Sequence, residues 1–209
     1  MRRRLMAFEK SGGGLPDGYT AVNYLQSSGT QWINTEYTLQ SSDTVELKAE
    51  YVKRGSLNYP VAYLCGSDRM FGVDFSISED IQGGGVRDVF GNGRNNSGVT
   101  PEVGTEFVVV SSISLLRVVI GETITEISKG AQPYTPVNWP VYLFTTNRNN
   151  NAHVAAFIGK IYYAKITNGQ GEMTLNCIPC LDADGVPCLY DLISKKALYN
   201  IGTGSFTWG

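Results

Sequence analysis

The segment Thr44–Tyr51, TVELKAEY, alternates between apolar and polar side chains along its length. A period of two is typical of a β-strand with one buried and one solvent-facing side. Comparable short apolar stretches recur about every 8–14 residues, separated by Gly, Asn and Asp residues that favour turns. No long stretch has the spacing of an amphipathic helix. The pattern therefore predicts an all-β fold of antiparallel sheets packed as a two-layer sandwich.

About a dozen strands are predicted from this pattern. Besides Thr44–Tyr51, they span residues 30–37, 61–65, 71–77, 86–90, 123–127, 141–145, 159–167, 173–179, 188–192 and 197–199, with two more within 106–120. A short helical turn is predicted at residues 19–25, where Ala21, Val22 and Leu25 are spaced along one side. Turns are predicted at residues 66–69, 91–96 and 121–122, because these segments are rich in Gly and polar residues.

The length and composition fit one domain preceded by a short tail. The chain has 209 residues, 42% of them hydrophobic and 17% charged, which is ample for a packed core. Residues 1–15 form the predicted tail, with a glycine-rich hinge at 11–14, and residues 16–209 form the sandwich. The tail carries a net charge of +3, which leaves −5 for the remainder of a chain whose formal net charge is −2. Such an acidic body argues against nucleic-acid binding.

The apolar stretches are too short for a membrane span or an export signal. No run approaches the ~18 apolar residues that cross a bilayer. Near the N-terminus, the apolar stretch at residues 5–8 is followed at once by Glu9 and Lys10, whereas the core of a signal peptide needs ~7–15 apolar residues. We therefore expect no membrane insertion and no signal-directed export.

Segments spread over nearly the whole chain carry a family resemblance. They are LPDGYTAVNYLQSSGTQWINTEY (residues 15–37), VYLFTTNRNNN (141–151), IGKIYYAKIT (158–167) and IPCLDADGVPCLYDLISKKALYNIGTGSFTWG (178–209). Together they resemble the concanavalin A-like, laminin-G-like modules of bacteriophage and prophage virion proteins, of the gut Bacteroidales type, and of surface proteins of gut bacteria. The resemblance implies a jelly-roll sandwich of the concanavalin A-like lectin/glucanase type and a location in the virion. It brings no catalytic motif.

Glycosidases of this general fold use paired carboxylates, for which Glu46/Glu50 and Glu122/Glu126 are the candidates. Residues four apart in a strand lie ~13 Å apart, at ~3.3 Å per residue, whereas hydrolysis needs carboxyl groups about 5–9.5 Å apart. The Glu-x-Asp-x-Glu pattern of the related glucanases is absent. The single histidine, His153, has no sequence neighbour that would complete a nucleophilic triad. We therefore expect a protein without enzymatic activity.

The cysteines and one acidic turn raise the question of metals and redox chemistry. All four cysteines (Cys65, Cys177, Cys180 and Cys188) are predicted to be reduced and buried. Cys177 and Cys180 project to opposite faces of a strand, which disfavours a local bridge; zinc or redox use of CIPC is the lesser alternative. Residues 182–185, DADG, predict a hairpin turn rather than a calcium loop. No cofactor is expected, and a Ca²⁺ ion at the sandwich edge is the alternative that the resemblance implies.

Two amide-rich segments are the candidate ligand sites. Arg94, Asn95 and Asn96 form one, and Asn147, Arg148 and Asn149 form the other. Planar amides bind pairs of sugar hydroxyls, while aromatic rings stack on the C–H faces of sugars. Trp32 and Tyr63 are the candidate stacking platforms, with a core position as the alternative for each. The competing interpretation of both segments is that their Asn and Gly residues only form turns.

These observations predict a non-enzymatic virion structural protein, either a fibre, a decoration protein or a tail accessory protein, that displays a glycan-binding sandwich. Its tail is predicted to anchor it to other virion proteins through Arg2, Arg3, Arg4, Leu5, Met6 and Phe8. A homo-oligomer and contacts with cell-surface or mucosal glycans are expected. The alternatives are a carbohydrate-binding surface module of a gut bacterium and, less favoured, a glycoside hydrolase of the same fold.

Overall fold

The computed structural model describes residues 14–53, 61–67, 71–76, 85–91, 93–130, 133–135, 138–153 and 156–209. The predicted anchoring residues Arg2, Arg3, Arg4, Leu5, Met6 and Phe8 lie outside these ranges. The described residues include no α-helix, and so none with the length and hydrophobicity needed to cross a bilayer. The prediction of an all-β chain is confirmed.

Nineteen strands are formed by the described residues. In chain order they are β1 (Thr20–Ala21), β2 (Leu25–Ser28), β3 (Ile33–Asn34), β4 (Thr44–Tyr51), β5 (Val61–Ser67), β6 (Phe71–Ser76), β7 (Gly85–Phe90), β8 (Gly93–Asn96), β9 (Glu106–Ser112), β10 (Leu115–Ile120), β11 (Thr123–Ser128), β12 (Tyr142–Leu143), β13 (Asn147–Arg148), β14 (Asn151–Ala152), β15 (Ile158–Thr167), β16 (Met173–Leu181), β17 (Pro187–Asp191), β18 (Lys196–Tyr199) and β19 (Thr207–Trp208). These strands form two sheets.

The large sheet has β4 and β15 at its centre. Its strand order is β11-β10-β9-β4-β15-β16-β17-β18, and the short strands β1, β2 and β19 extend it beside β15 and β16. In β4, the side chains Val45, Leu47, Ala49 and Tyr51 are at most 2% exposed. The predicted alternation of this strand is therefore confirmed, with one side facing the core and the other facing outward.

The small sheet has the order β14-β13-β5-β6-β7-β8, and β12 joins β3 to β5. The predicted hairpin between the strands at 61–65 and 71–77 is confirmed by the antiparallel pairing of β5 with β6. The parallel contacts among the described residues are two single pairs, Asn147↔Ser67 and Tyr63↔Ala156. These pairs bring the segment that follows β12 alongside β5.

The two sheets enclose one main core. It contains Leu47 and Ile161 of the large sheet and Leu64, Val86 and Phe90 of the small sheet, all completely buried. Burying a large apolar side chain contributes about 1.5–3 kcal/mol, so this shared core is the main force that holds the sheets together. The predicted antiparallel two-sheet sandwich is confirmed by this arrangement.

A buried ion pair crosses the core. Asp88 of β7 faces inward between Val86 and Phe90, and its carboxylate accepts hydrogen bonds from Lys129 Nζ and from Ser111 Oγ of β9, the latter at 2.5 Å. Lys129 Nζ also donates to the carbonyl oxygen of Ser112 at 2.6 Å. Burial raises the pKa of Asp88, partly offset by Lys129, and burial lowers the pKa of Lys129. The pair links the two sheets through polar contacts.

Three local predictions are wrong. Residues 19–25 contain β1 and the start of β2 instead of a helical turn, because Leu25 pairs with Ile161 of β15. The strand predicted over residues 30–37 is limited to Ile33–Asn34. Residues 93–96, predicted as part of a turn, form β8 because they pair with β7. In the first and third cases pairing with another strand overrides the local preference.

Candidate functional site

Tyr63 is the centre of a polar cluster on the outer face of the small sheet. Its neighbours in β5, Ala62 and Leu64, are completely buried in the core, so the alternation of the strand turns Tyr63 outward. Arg148 Nη2 donates a hydrogen bond to Tyr63 Oη at 3.0 Å, and its guanidinium lies 5.6 Å from the ring centroid. The His153 ring packs edge-on against Tyr63 with centroids 5.1 Å apart. We name Tyr63, Thr146, Asn147, Arg148 and His153 the Tyr63 cluster.

A two-residue turn carries Arg148 and the exposed amides. Strands β13 and β14 form a hairpin through Asn149 and Asn150, which have φ angles of 55° and 61°. Two successive residues with positive φ match the tight turn that best fits the twist of a hairpin, and Asn tolerates this backbone better than most residues. The predicted alternative, that the asparagines form a turn, thus holds for Asn149, and the same turn presents Arg148 to Tyr63.

Three consecutive residues of the cluster carry buried polar atoms without a partner. Among the described residues, the atoms in this state are Thr146 Oγ1, Asn147 Oδ1 and Arg148 Nε. Asn147 is completely buried, and its Nδ2 donates to the carbonyl oxygen of Pro140 at 2.9 Å, which fixes the amide group. A buried polar atom without a partner costs about 1–3 kcal/mol. Such atoms are rare in folded proteins, and three in succession mark unused hydrogen-bonding capacity.

Arg148 is the source of positive charge in the Tyr63 cluster. Within the described part of the chain, Arg148 has no carboxylate within ion-pair distance. Burial lowers the pKa of His153, and the positive charge of Arg148 lowers it further. Both effects favour the neutral form of His153, so the positive charge of the cluster comes mainly from Arg148.

The other predicted ligand segment lies elsewhere. Arg94, Asn95 and Asn96 belong to β8, and three strands separate β8 from β13 in the small sheet. At about 4.8 Å per strand the two segments are roughly 19 Å apart. Asn95 Nδ2 donates to Asp88 Oδ1 at 3.2 Å, so Asn95 supports the buried ion pair. Of the predicted site residues, the structure brings together Tyr63, Asn147, Arg148 and Asn149.

Trp32 is not part of the Tyr63 cluster. Its ring is half-buried against the main core, and its backbone nitrogen donates to Asn200 Oδ1 at 3.2 Å. Gly202 approaches so closely that a Cβ atom there would lie 2.8 Å from the Trp32 ring. Only glycine permits such an approach without a shift of the ring. Trp32 therefore packs beneath the C-terminal loop.

The outer face of the large sheet holds a second group of aromatic and charged side chains, which sequence reasoning did not single out as a site. It consists of Tyr24, Lys48, Glu50, Glu106, Lys160 and Tyr162, and we name it the Tyr162 face. A bulge in β15 creates it: Ile161 pairs with Ala49 but Tyr163 pairs with Lys48, so Tyr162 is the extra residue. The signal in the sequence is the adjacent pair of tyrosines in an otherwise alternating strand.

The polar groups of the Tyr162 face satisfy one another. Glu50 accepts hydrogen bonds from Lys160 Nζ at 2.8 Å and from Tyr162 Oη at 2.7 Å. Lys48 pairs with Glu106 at 2.5 Å and lies over the Tyr162 ring, 4.8 Å from its centroid. Lys160 similarly covers the ring of Tyr24 at 4.6 Å. The aromatic faces and the carboxylates are thus already occupied by side chains of the protein.

The Tyr162 face also contains the carboxylate pair that spacing along one strand cannot reveal. Glu50 and Glu106 are direct partners on the neighbouring strands β4 and β9, so their side chains lie on the same face of the sheet. Burial raises the pKa of Glu50, but hydrogen bonds from Lys160 and Tyr162 outweigh it and hold this pKa below its ordinary value. A glycosidase needs a proton donor with a raised pKa. Glu50 is therefore unsuited to that role.

The predicted turn at residues 182–185 is confirmed, and its acidic groups are used within the protein. Asp182 Oδ1 accepts hydrogen bonds from the backbone nitrogens of Asp184 and Val186, and its Oδ2 accepts one from Tyr199 Oη at 2.9 Å. The described residues contain no group of three or more metal-ligating side chains. The carboxylate of Asp182 thus acts as the organising group of a tight turn.

Comparisons with known proteins concern the fold. No protein-family model and no curated protein matches the chain. A Bacteroides ovatus protein proposed to bind carbohydrate superposes with a TM-score of 0.61 at 8% identity, covering 90% of this chain and 60% of its own. The extracellular region of zebrafish Gpr126/Adgrg6 superposes with a TM-score of 0.50 at 10% identity, covering 92% of this chain and 26% of its own. A mutant of the NanB sialidase of Streptococcus pneumoniae gives a TM-score of 0.47 at 15% identity, covering 72% of this chain and 26% of its own. The chain thus spans about 60% of the length of the Bacteroides protein, and the likeness is one of fold alone.

Proposed function

We propose that this domain is a non-enzymatic glycan-binding sandwich, and that the Tyr63 cluster is its binding site. The observation that carries the proposal is the run of unpartnered buried polar atoms on Thr146, Asn147 and Arg148, beside an outward-facing aromatic ring. Sugar hydroxyls both donate and accept hydrogen bonds, and sugar C–H faces stack on aromatic rings. A glycan therefore matches both features of the cluster. The shared fold with a Bacteroides protein proposed to bind carbohydrate is consistent with this function.

The chemistry of the cluster favours a glycan that carries a carboxylate. Arg148 has an Nε–H group without an acceptor and no acidic partner in the described part of the chain. Guanidinium groups bind carboxylates through two parallel hydrogen bonds, which are stronger than those between neutral groups. Uronic and sialic acid residues are the sugars that carry a carboxylate.

A glycan array that contains matched neutral and acidic oligosaccharides tests this function. The wild-type protein is expected to bind acidic members, and Arg148→Ala is expected to lose this binding. Arg94→Ala is the matched control, since Arg94 is an exposed arginine at the opposite edge of the same sheet. Loss of binding in Arg94→Ala but not in Arg148→Ala would place the site at β8. No binding by the wild-type protein to any member would refute the proposal.

We further propose that the domain is displayed on a bacteriophage particle, as a fibre, decoration or tail accessory protein. The support is the sequence resemblance to virion modules and the basic, partly apolar tail, which has the composition of an anchoring segment. Mass spectrometry of purified particles should detect the protein, and deletion of residues 1–14 should leave it folded but absent from the particles. Detection on the bacterial cell surface in the absence of particles would instead favour the surface-module alternative.

A further inference from the structure

A pair of cysteines lies on the outer side of the large sheet, separate from the main core. Cys180 of β16 and Cys188 of β17 are direct partners in the antiparallel register, and their sulfur atoms are 3.4 Å apart. Both are completely buried and neither is part of a disulfide. Direct partners in such a ladder have Cα atoms ~4.5–5.5 Å apart, within the ~4.4–6.8 Å that a disulfide bridges. The backbone is therefore already placed for a bond between them.

The N-terminal end of the sandwich covers this pair. Leu15 and Tyr19 pack on the small cluster that Cys180 and Cys188 form with Tyr190, and the rings of Tyr19 and Tyr190 meet edge-on with centroids 5.5 Å apart. Strand β1 holds the covering segment in place, since Ala21 pairs with Cys180. An oxidant in solution reaches the sulfur atoms only when residues 15–19 lift away.

The two thiols share a hydrogen bond in which either sulfur can be the donor, and the Cys180 thiol also donates to the carbonyl oxygen of Cys188 at 3.7 Å. A thiolate, and not a thiol, is the attacking species in disulfide exchange. Either cysteine can therefore react first, and the other lies within reach of the mixed disulfide that results.

We propose that Cys180 and Cys188 form a reversible disulfide when the protein meets an oxidant of the small-disulfide class, such as oxidised glutathione. The thiolate of one cysteine attacks one sulfur of the oxidant and expels one glutathione thiolate. The other cysteine then loses its proton, attacks the protein sulfur of the mixed disulfide, and expels the glutathione bound there. The two cysteines lose two electrons and two protons, and the oxidant gains the same number as it becomes two thiols.

The disulfide would link β16 to β17 covalently within their hairpin, and the N-terminal end is attached to this hairpin through β1. A disulfide that closes a loop restricts the unfolded chain and so raises the stability of the folded state. Disulfides persist outside cells and are reduced in the cytoplasm. The pair would thus lock this end of the sandwich once the protein leaves the reducing compartment in which it folds.

The test uses the reduced full-length protein in two parallel treatments with oxidised glutathione. In one the protein is native, and in the other it refolds from denaturant, which removes the protection by residues 15–19. Intact mass and peptide mapping after alkylation should show two free thiols out of the four and a bond between Cys180 and Cys188. The melting temperature should rise by about 5–10 °C, and reduction should reverse the shift.

Matched cysteine variants decide which residues are involved. Cys188→Ser should form no internal bond and retain a glutathione adduct on Cys180, whereas Cys177→Ser should behave like the wild type because Cys177 lies in the main core. Four free thiols after both treatments would overturn the proposal, and so would a bond that includes Cys65 or Cys177. Tyr19→Ala should speed oxidation of the native protein several-fold, and an unchanged rate would contradict the covering role of Tyr19.

Discussion

The Tyr162 face and the Tyr63 cluster both combine tyrosine with cationic side chains, but their polar groups are in different states. On the Tyr162 face, Glu50 is bonded to both Lys160 and Tyr162, and lysines cover the aromatic rings. In the Tyr63 cluster, Arg148 has no carboxylate partner within the described residues, and three neighbouring buried atoms have no hydrogen-bond partner. The two regions are similar in composition and different in how completely they are satisfied.

This difference predicts which substitutions change the stability of the fold and which change the binding of a ligand. Polar groups that are already paired have to exchange one partner for another when a ligand arrives, so little free energy is gained. Unpaired buried groups have already lost their contacts with water, so a new hydrogen bond to them gains more free energy. We therefore expect substitutions on the Tyr162 face to change the free energy of unfolding, and substitutions in the Tyr63 cluster to change affinity.

The largest effect on stability is expected at the buried ion pair of Asp88 and Lys129, where the charged groups have several hydrogen-bond partners. Lys129→Met removes the charge that compensates Asp88 and should lower the free energy of unfolding by about 3–5 kcal/mol. The double variant Asp88→Asn/Lys129→Met leaves no unpaired charge and should recover part of the loss. Denaturant unfolding measures both. A loss below about 1 kcal/mol in the single variant would show that the pair is not important for the contact between the sheets.

The next largest effect is expected on affinity. Arg148→Ala should weaken the binding of an acidic glycan by about 1.5–3 kcal/mol, or at least tenfold, because it removes a hydrogen bond between charged groups. Its free energy of unfolding should fall by at most about 1 kcal/mol, since Arg148 is half-buried and loses one hydrogen bond to Tyr63 but no ion pair in the described part of the chain. Titration calorimetry and thermal unfolding together decide the outcome. A variant that loses stability but keeps its affinity would reverse the assignment.

A smaller effect on stability is expected from Glu50→Gln, at about 1–2 kcal/mol. The pKa of Glu50 is held below its ordinary value of 4.5 in the folded protein. The stabilisation is therefore fully present above about pH 4.5 and lost as the pH falls from there through the folded pKa. Unfolding measured across this range should give a flatter acid slope for Glu50→Gln than for the wild type. Parallel slopes would contradict this role of Glu50, and glycan affinity should be unchanged.

The smallest effect is expected at an exposed ion pair. Arg117 and Glu126 lie 2.5 Å apart on β10 and β11, with side chains 41% and 47% exposed. Such pairs contribute about 0–0.5 kcal/mol, because water screens the charges. Arg117→Ala should therefore change neither stability nor binding, and it serves as the baseline for the other variants. A clear loss in either measurement would mean that exposure is a poor guide to the role of a polar pair in this protein.

The parts of the fold that depend on local pattern are visible in the sequence. The alternation of Thr44–Tyr51 predicts the strand with its correct bounds, because the apolar side chains of β4 face the core and its polar side chains face outward. Residues 19–25 mislead because Ala21, Val22 and Leu25 fit a helix locally, whereas Leu25 belongs to a ladder with Ile161. Local spacing is a weak guide where a distant strand supplies the partner.

For the same reason, only part of the candidate site can be predicted from the sequence. Tyr63 and Arg148 are 85 residues apart, so each is recognised as a candidate by its type, but their contact requires the fold. Asn95 has the composition of a loop residue and is instead a partner of Asp88. Glu50 and Glu106 are partners on the neighbouring strands β4 and β9, and spacing along one strand does not reveal this pairing.

The most direct test of which region binds is to observe the tyrosine rings themselves. Protein labelled with carbon-13 in its tyrosine rings is titrated with the acidic glycan that binds most strongly, and resonances are assigned with Tyr63→Phe and Tyr162→Phe. We predict that the Tyr63 resonances shift until the site is saturated, while those of Tyr24 and Tyr162 stay in place. Shifts of Tyr24 and Tyr162 with no change at Tyr63 would contradict it.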